Sequence, residues 1–160
     1  MTTEIQQKRH EWIVEWVREA ALAIGGISPM VPIWTDDLTV VPKEIAVPAI
    51  SLDLPEMRAG IQTILAETKA VAYAFVAEII AHKIGVEGAP TTLQELESAP
   101  GAHEAIVVHT CHRGNVQSSV IPIIWDGVNP MKLGETYTPP SMVALCDAMT
   151  DGLLPANALN

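Results

Sequence analysis

Three chemically versatile side chains fall within four residues, in the run His109-Thr110-Cys111-His112. Imidazole and thiolate are the usual zinc ligands, and a thiolate beside an imidazole base is also a nucleophile. The run lies inside a longer stretch, Ala105 to Trp125, where two β-prone arms flank Gly114-Asn115. That pair suits a two-residue hairpin turn with glycine at the first central position. On that register His112 opposes Gln117, Cys111 opposes Ser118 and His109 opposes Val120. Alternation along the strands then divides the cluster. His109 and Cys111 share a face with Val107, Ser118 and Val120. His112 joins Ile106, Val108, Thr110, Gln117, Ser119, Ile121 and Ile123 on the other.

What remains on one face is a modest pair, His109 and Cys111, about 6–7 Å apart along the strand. Zinc needs three or four ligands, so this pair requires a third from His82 or His103. The His-x-His spacing with trailing serine and aspartate of metal-dependent deubiquitinase-like hydrolases is absent. A nucleophilic Cys111 would need a base in reach and an electropositive setting, and the surrounding charge is acidic. Glu67 and Glu78 fall on different predicted elements and do not make a carboxylate pair. No glycine-rich phosphate loop, G-x-S-x-G elbow or H-E-x-x-H helix occurs. The expectation is therefore no catalytic residue, no cofactor and no metal, with polar residues on a solvated hairpin face. His109, Cys111, His82 and His103 are the residues to follow if a metal or hydrolytic site exists.

The elements that hold this hairpin are legible from periodicity. Ile5, Trp12, Ile13, Trp16, Val17, Ala20, Ala21 and Ile24 recur at helical spacing and predict a helix from Thr3 to Ile24. Lys8, Arg9, Glu11, Glu15, Arg18 and Glu19 are assigned to its solvent side, and Gly25-Gly26 to its exit. Trp12 and Trp16, one turn apart, read as core. Met30–Trp34 and Leu38–Val41 predict a small hairpin about Thr35-Asp36-Asp37. Prolines 29, 32, 42 and 48 keep those strands short or at a sheet edge.

Asp53 with Glu56 has the form of a capping box for a second helix ending near Thr68, with Met57, Ile61, Ile64 and Leu65 buried. Residues 71–82 hold six β-branched or aromatic side chains and alternate, which predicts a strand. The 85–103 segment is a long connection, with Thr92 and Glu95 able to cap a single helical turn. Pro122 implies that its strand faces an open edge there. Thr138-Pro-Pro-Ser141 reads as the start of a last short helix to about Met149.

Composition bounds the function. At 160 residues the chain is one domain of ordinary size, residues 1–152, with a loose tail at 153–160. Nine basic against nineteen acidic residues give a formal charge of −10, which argues against nucleic acid and against anionic membranes. A DNA mimic would carry dense acidic runs, whereas Asp36-Asp37 is the only adjacent acidic pair. Cys111 and Cys146 fit no disulfide scaffold or C-x-x-C motif. The polar N-terminus carries no signal core and no apolar run nears the ~20 residues of a membrane span. A cytoplasmic location is the expectation. The high apolar fraction, 49%, points to a protein partner or to self-association.

Two segments, Ala70 to Ile79 and Ile106 to His112, carry a resemblance. The chain from about residue 4 to 125 resembles uncharacterised small bacterial and phage proteins. In these, an A-x-A-Y-x-F-V-x-E-x-W-type strand precedes a long insert and a second hairpin. Ile80 and Ala81 stand where that pattern often has an aromatic. The resemblance implies a strand at 71–82, and because the family has no assigned activity it implies no site.

The fold expected is α+β, in the order α-β-β-α-β-β-β-α. It comprises an antiparallel sheet of about five strands, two main helices on one face and a short C-terminal helix. The function expected is a non-enzymatic interaction or assembly module. The alternative is a small metal-binding protein or hydrolase with its site around His109 and Cys111.

Overall fold

In a computed structural model of the chain, residues 3–48, 54–81, 103–124 and 132–138 are described. Helix α1 is Glu4–Ile24, followed by β1 Val31–Trp34, β2 Glu44–Ala46 and α2 Leu54–Thr68. Four strands follow: β3 Ala72–Ala81, β4 His103–His112, β5 Asn115–Ile124 and β6 Lys132–Leu133. They form one antiparallel six-stranded sheet in the order β2-β1-β3-β4-β5-β6. The α+β class and antiparallel sheet are as expected, with a sixth strand beyond the five. The proposed capping box at Asp53, the 85–103 connection, the C-terminal helix and the tail lie outside the described residues.

α1 begins where its local chemistry says it should. The Thr3 hydroxyl accepts from the Gln6 amide while the Gln6 side chain accepts from Thr3 N–H, a reciprocal cap. Gly25 ends it in the left-handed region at φ 86°. α2 ends the same way without glycine: Lys69 adopts φ 58° and Ala70 N–H reaches back to Leu65 O.

The two helices lie on opposite faces of the sheet, not on one. Ile13, Val17 and Ala21 of α1 pack with Trp34, Ala72, Ala74, Val76, Val108 and Ile121. Ile61 and Leu65 of α2 pack with Val31, Ile33, Tyr73, Phe75, Val107 and Cys111. The reason is visible in β3 and β4, where neighbouring residues are buried whichever way they point. A strand covered on both sides reads as a continuous apolar run, and Ala72–Ala77 is one.

Two local expectations are corrected. The partner of β1 is Glu44–Ala46, while Leu38 and Val41 are exposed in the connection between them. Proline at 42 and the Asp36 turn, whose carboxylate accepts from Leu38 and Thr39 N–H, leave no room for a strand at 38–41. The hairpin turn is also displaced: His112 pairs with Asn115, so Arg113-Gly114 forms the loop, and Gly114 takes φ 76°. Positive φ at the second central position alone is a type II pattern, which glycine also satisfies. The register slips by two residues, so His109 faces Ser118 and Cys111 faces Val116. Every side chain nevertheless keeps its predicted face, because the period of a strand is two.

β5 is covered by β6, yet Pro122 still avoids the main ladder. Its carbonyl accepts from Gly134 N–H, so its missing donor falls on the β6 side. There the pairing jumps from Ile123–Leu133 to Val120–Tyr137.

Candidate functional site

The polar chemistry of the chain gathers where the first turns of α1 meet the β4–β5 hairpin. Arg9, Ile13, Val17 and Ala21 recur every four residues, so Arg9 lies on the buried stripe of α1, and His10 sits beside it. Both are buried, Arg9 to 2% exposure, which corrects its assignment to the solvent side. Ile24, read as part of the stripe, is instead exposed at the helix end. Trp12 and Trp16 are half-buried against the core and stacked on each other, with ring centroids 6.1 Å apart.

Among the described residues Arg9 has no carboxylate partner, and it is satisfied by other means. Its Nε donates to Thr39 O at 2.8 Å and its Nη2 to Asp36 O at 2.7 Å. Its guanidinium carbon lies 5.3 Å from the centre of the Trp34 ring, a cation–π arrangement. Trp34 Nε1 donates to Val40 O at 2.7 Å and so holds the same loop. The fourth partner is His112, whose Nε2 is 3.3 Å from Arg9 Nη1. Arginine can only donate, so His112 Nε2 must accept and its proton resides on Nδ1. Burial lowers the pKa of Arg9, against the opposing pull of Asp36 and Asp37.

His10 is held at both nitrogens. Nδ1 lies 2.8 Å from Thr110 Oγ1 on β4, and Nε2 lies 2.7 Å from Ser119 Oγ on β5. Burial pushes its pKa down to about 4, and the nearby Glu11 only partly offsets this. The serine–imidazole contact has the distance of a nucleophile–base pair, but the third position holds a hydroxyl. Thr110 has no charge with which to stabilise an imidazolium, and an imidazole of pKa about 4 is a weak base. The arrangement is a hydrogen-bond relay that joins α1, β4 and β5.

The opposite face holds both members of the pair singled out by the sequence. His109 Nδ1 meets the Ser118 hydroxyl across the hairpin. Its pKa is also lowered to about 4, by burial first and by the charge of His10 second. Cys111 is completely buried in the cluster under α2, next to Tyr73 in register, with Val116 opposite. These residues do not form the solvated face anticipated for them, because α2 covers that side. His103 opens β4 opposite Ala81, but its side chain, like His82 and Cys146 entirely, lies outside the described residues. Among the described residues no group of three or more His, Cys, Asp or Glu could hold a metal. Glu67 is on α2 and Glu78 on β3, where Glu78 Oε1 accepts from Ile27 N–H at 2.7 Å.

The residue types and spacing single out His109 and Cys111, with His82 and His103, and leave Arg9 and His10 unmarked. The four-residue spacing from Arg9 to Ala21 is the signal that marks Arg9; nothing of the kind marks His10. No protein-family model, curated protein or solved structure matches the chain. No helix among the described residues is long and apolar enough to cross a membrane.

Proposed function

We propose that the chain is a non-enzymatic cytoplasmic interaction or assembly module that engages protein, in the first instance a second copy of itself, and neither nucleic acid nor membrane. The observation that carries this reading is the apolar character of the β2 end of the sheet. Within ten residues Leu38, Val41, Ile45 and Val47 are exposed, Leu38 to 87% and Val47 to 72%. Single exposed apolar side chains need no explanation, but four in so short a segment at a sheet edge do. The buried polar groups of the α1 face support the same reading, since Arg9 and His10 spend their hydrogen bonds on His112, Thr110 and Ser119.

Sedimentation velocity over a concentration series tests this. The wild-type chain is expected to sediment above its monomer mass at tens of micromolar, and Leu38→Glu/Val47→Glu to return to the monomer. A wild-type chain that stays monomeric throughout overturns self-association.

A further inference from the structure

The 36–40 loop carries Leu38, the most exposed of the apolar side chains assigned to self-association, and two buried residues hold it in place. Arg9 donates to the carbonyls of Asp36 and Thr39, and Trp34 Nε1 donates to that of Val40. Arg9 in turn leans on His112, whose Nε2 lies 3.3 Å from its Nη1. A guanidinium has no acceptor, so this contact lasts only while Nε2 keeps its lone pair. A proton added there would leave two donors and two positive charges facing each other where both side chains are buried. His10 differs in kind. Its partners are the hydroxyls of Thr110 and Ser119, which can turn from donor to acceptor when the ring gains a proton. The hydrogen bonds of His10 therefore survive protonation, and the one between His112 and Arg9 does not.

The other charges near the pair come from the loop, the helix and the turn. Asp36 and Asp37 act on Arg9 against its desolvation. The Thr39 hydroxyl and the N–H groups of Leu38 and Thr39 hold the Asp36 carboxyl below its ordinary range, so it stays charged in mild acid. On α1, Lys8 is paired with Glu4, and the charge of Glu11 acts on His10. Arg113 follows His112 in the turn, Asn115 opposes it on β5, and Tyr73 of β3 lies on the α2 face.

We propose that His112 is an acid-sensitive latch: a proton on Nε2 expels Arg9, frees the Asp36 and Thr39 carbonyls, and releases the loop that displays Leu38. Burial, and then the charge of Arg9, hold the latched imidazole at about 4 against an ordinary 6.5. The released form regains the ordinary value and so binds the proton more readily. Each pH unit between 6.5 and 4 therefore favours release by at most about tenfold, and above that window the latch is closed. The inference rests on the interaction-module reading and supplies its regulation. Association through a released loop must order that loop first, so it weakens in acid.

The test uses the intact chain, ¹⁵N-labelled. At pH 7, long-range correlations of the imidazole nitrogens should place the His112 proton on Nδ1, and a proton on Nε2 overturns the proposal without any variant. The Trp34 indole N–H, bonded to Val40 O, reports release of the loop. Between pH 6.5 and pH 5 its hydrogen exchange should accelerate about tenfold more in the wild type than in His112→Gln, whose amide oxygen accepts from Arg9 and does not titrate. His10→Gln should keep the wild-type response. Equal acceleration in the wild type and His112→Gln, or its loss in His10→Gln, overturns the latch. Sedimentation velocity at pH 7 and pH 5 separates the two readings. Wild-type association should weaken in acid, and that of His112→Gln should weaken less. If both associate and weaken equally, the regulation fails and the module reading stands. If neither associates while the Trp34 indole responds as expected, the latch stands and the self-association reading fails.

Discussion

The two faces of the β4–β5 hairpin start from similar residues and end in different chemistry. Each carries a histidine of β4 and a serine of β5, yet α1 brings Arg9 and His10 into buried hydrogen bonds on its face, whereas α2 meets its face chiefly through Ile61 and Leu65. Under α1, Thr110, His112 and Ser119 receive Arg9 and His10: Arg9 joins the 36–40 loop to His112, and His10 joins Thr110 on β4 to Ser119 on β5. Under α2, Cys111 and Val107 pack with Ile61 and Leu65, and His109 and Ser118 make a local polar link across the hairpin. The difference lies in what each contact joins. The α1 face ties elements about one hundred residues apart in sequence, so its polar groups fix tertiary placement. The α2 face relies on apolar burial, which is strong but not directional.

The largest expected effect is at Arg9. Arg9→Met keeps most of the side-chain volume but leaves Asp36 O, Thr39 O and His112 Nε2 without their donor. With about 1–3 kcal/mol for each buried group left unmet, partly relieved by water, a net loss near 3 kcal/mol in urea unfolding is expected. Arg9→Lys should recover less than half, because an ammonium cannot present a fork to two carbonyls and a ring face at once. A loss under about 1 kcal/mol for Arg9→Met would show that the α1 face is not tied together by this residue.

Acid should separate the faces next. His10, His109 and His112 all have native pKa values of about 4 against an ordinary 6.5, with burial the first cause in each. For His112 the Arg9 guanidinium adds a second. Between those values the unfolded chain binds more protons than the native one, so stability is complete above about pH 6.5 and falls as the pH drops toward 4. Each histidine contributes at most about 1.4 kcal/mol per pH unit in that window. Two of these three belong to the α1 face, so His10→Gln/His112→Gln should remove about two thirds of the slope that the three together give to urea midpoint against pH. His109→Gln should remove the remainder. Equal losses from the double and the single variant would mean that the faces respond to protons as one unit.

How much of this was legible in the sequence follows from the physics of each element. Face assignment on the hairpin survived a wrong turn because a two-residue slip preserves parity. The strand at 72–81 was legible from its β-branched and aromatic content, although its burial on both sides was taken for simple alternation. Arg9 was not read as buried because a charged residue next to Lys8 defaults to solvent. Its burial depends on Trp34 and the 36–40 carbonyls, partners fixed only by tertiary structure. The placement of α2 opposite α1 was likewise invisible, since periodicity gives each helix an apolar face but not the side of the sheet it meets.

A smaller effect is expected at two neighbouring serines of β5. Ser119→Ala deprives His10 Nε2 of its partner, and Ser118→Ala deprives His109 Nδ1 of its own. Each should cost about 1–2 kcal/mol. The location of the damage is what discriminates. Ser119→Ala is expected to speed hydrogen exchange in the first turns of α1, whereas Ser118→Ala should leave those amides protected and act within the hairpin. Matching exchange patterns in the two variants would remove the distinction between a tertiary tie and a local one.

The smallest effect is expected one residue before Arg9. Lys8 forms an ion pair with Glu4 at 3.0 Å, a better charge partner than anything Arg9 touches, yet both side chains are more than half exposed. In water the Coulomb gain of such a pair is offset by the entropy of holding two long side chains together, and salt screens what is left. Lys8→Met should therefore change stability by no more than about 0.5 kcal/mol, and less still in 0.5 M salt. The same substitution at adjacent positions thus isolates burial from charge. Arg9 matters because its partners cannot turn to water when it is gone, and those of Lys8 can. Should Lys8→Met prove as costly as Arg9→Met, the α1 face would owe its stability to the helix surface rather than to the contacts beneath it.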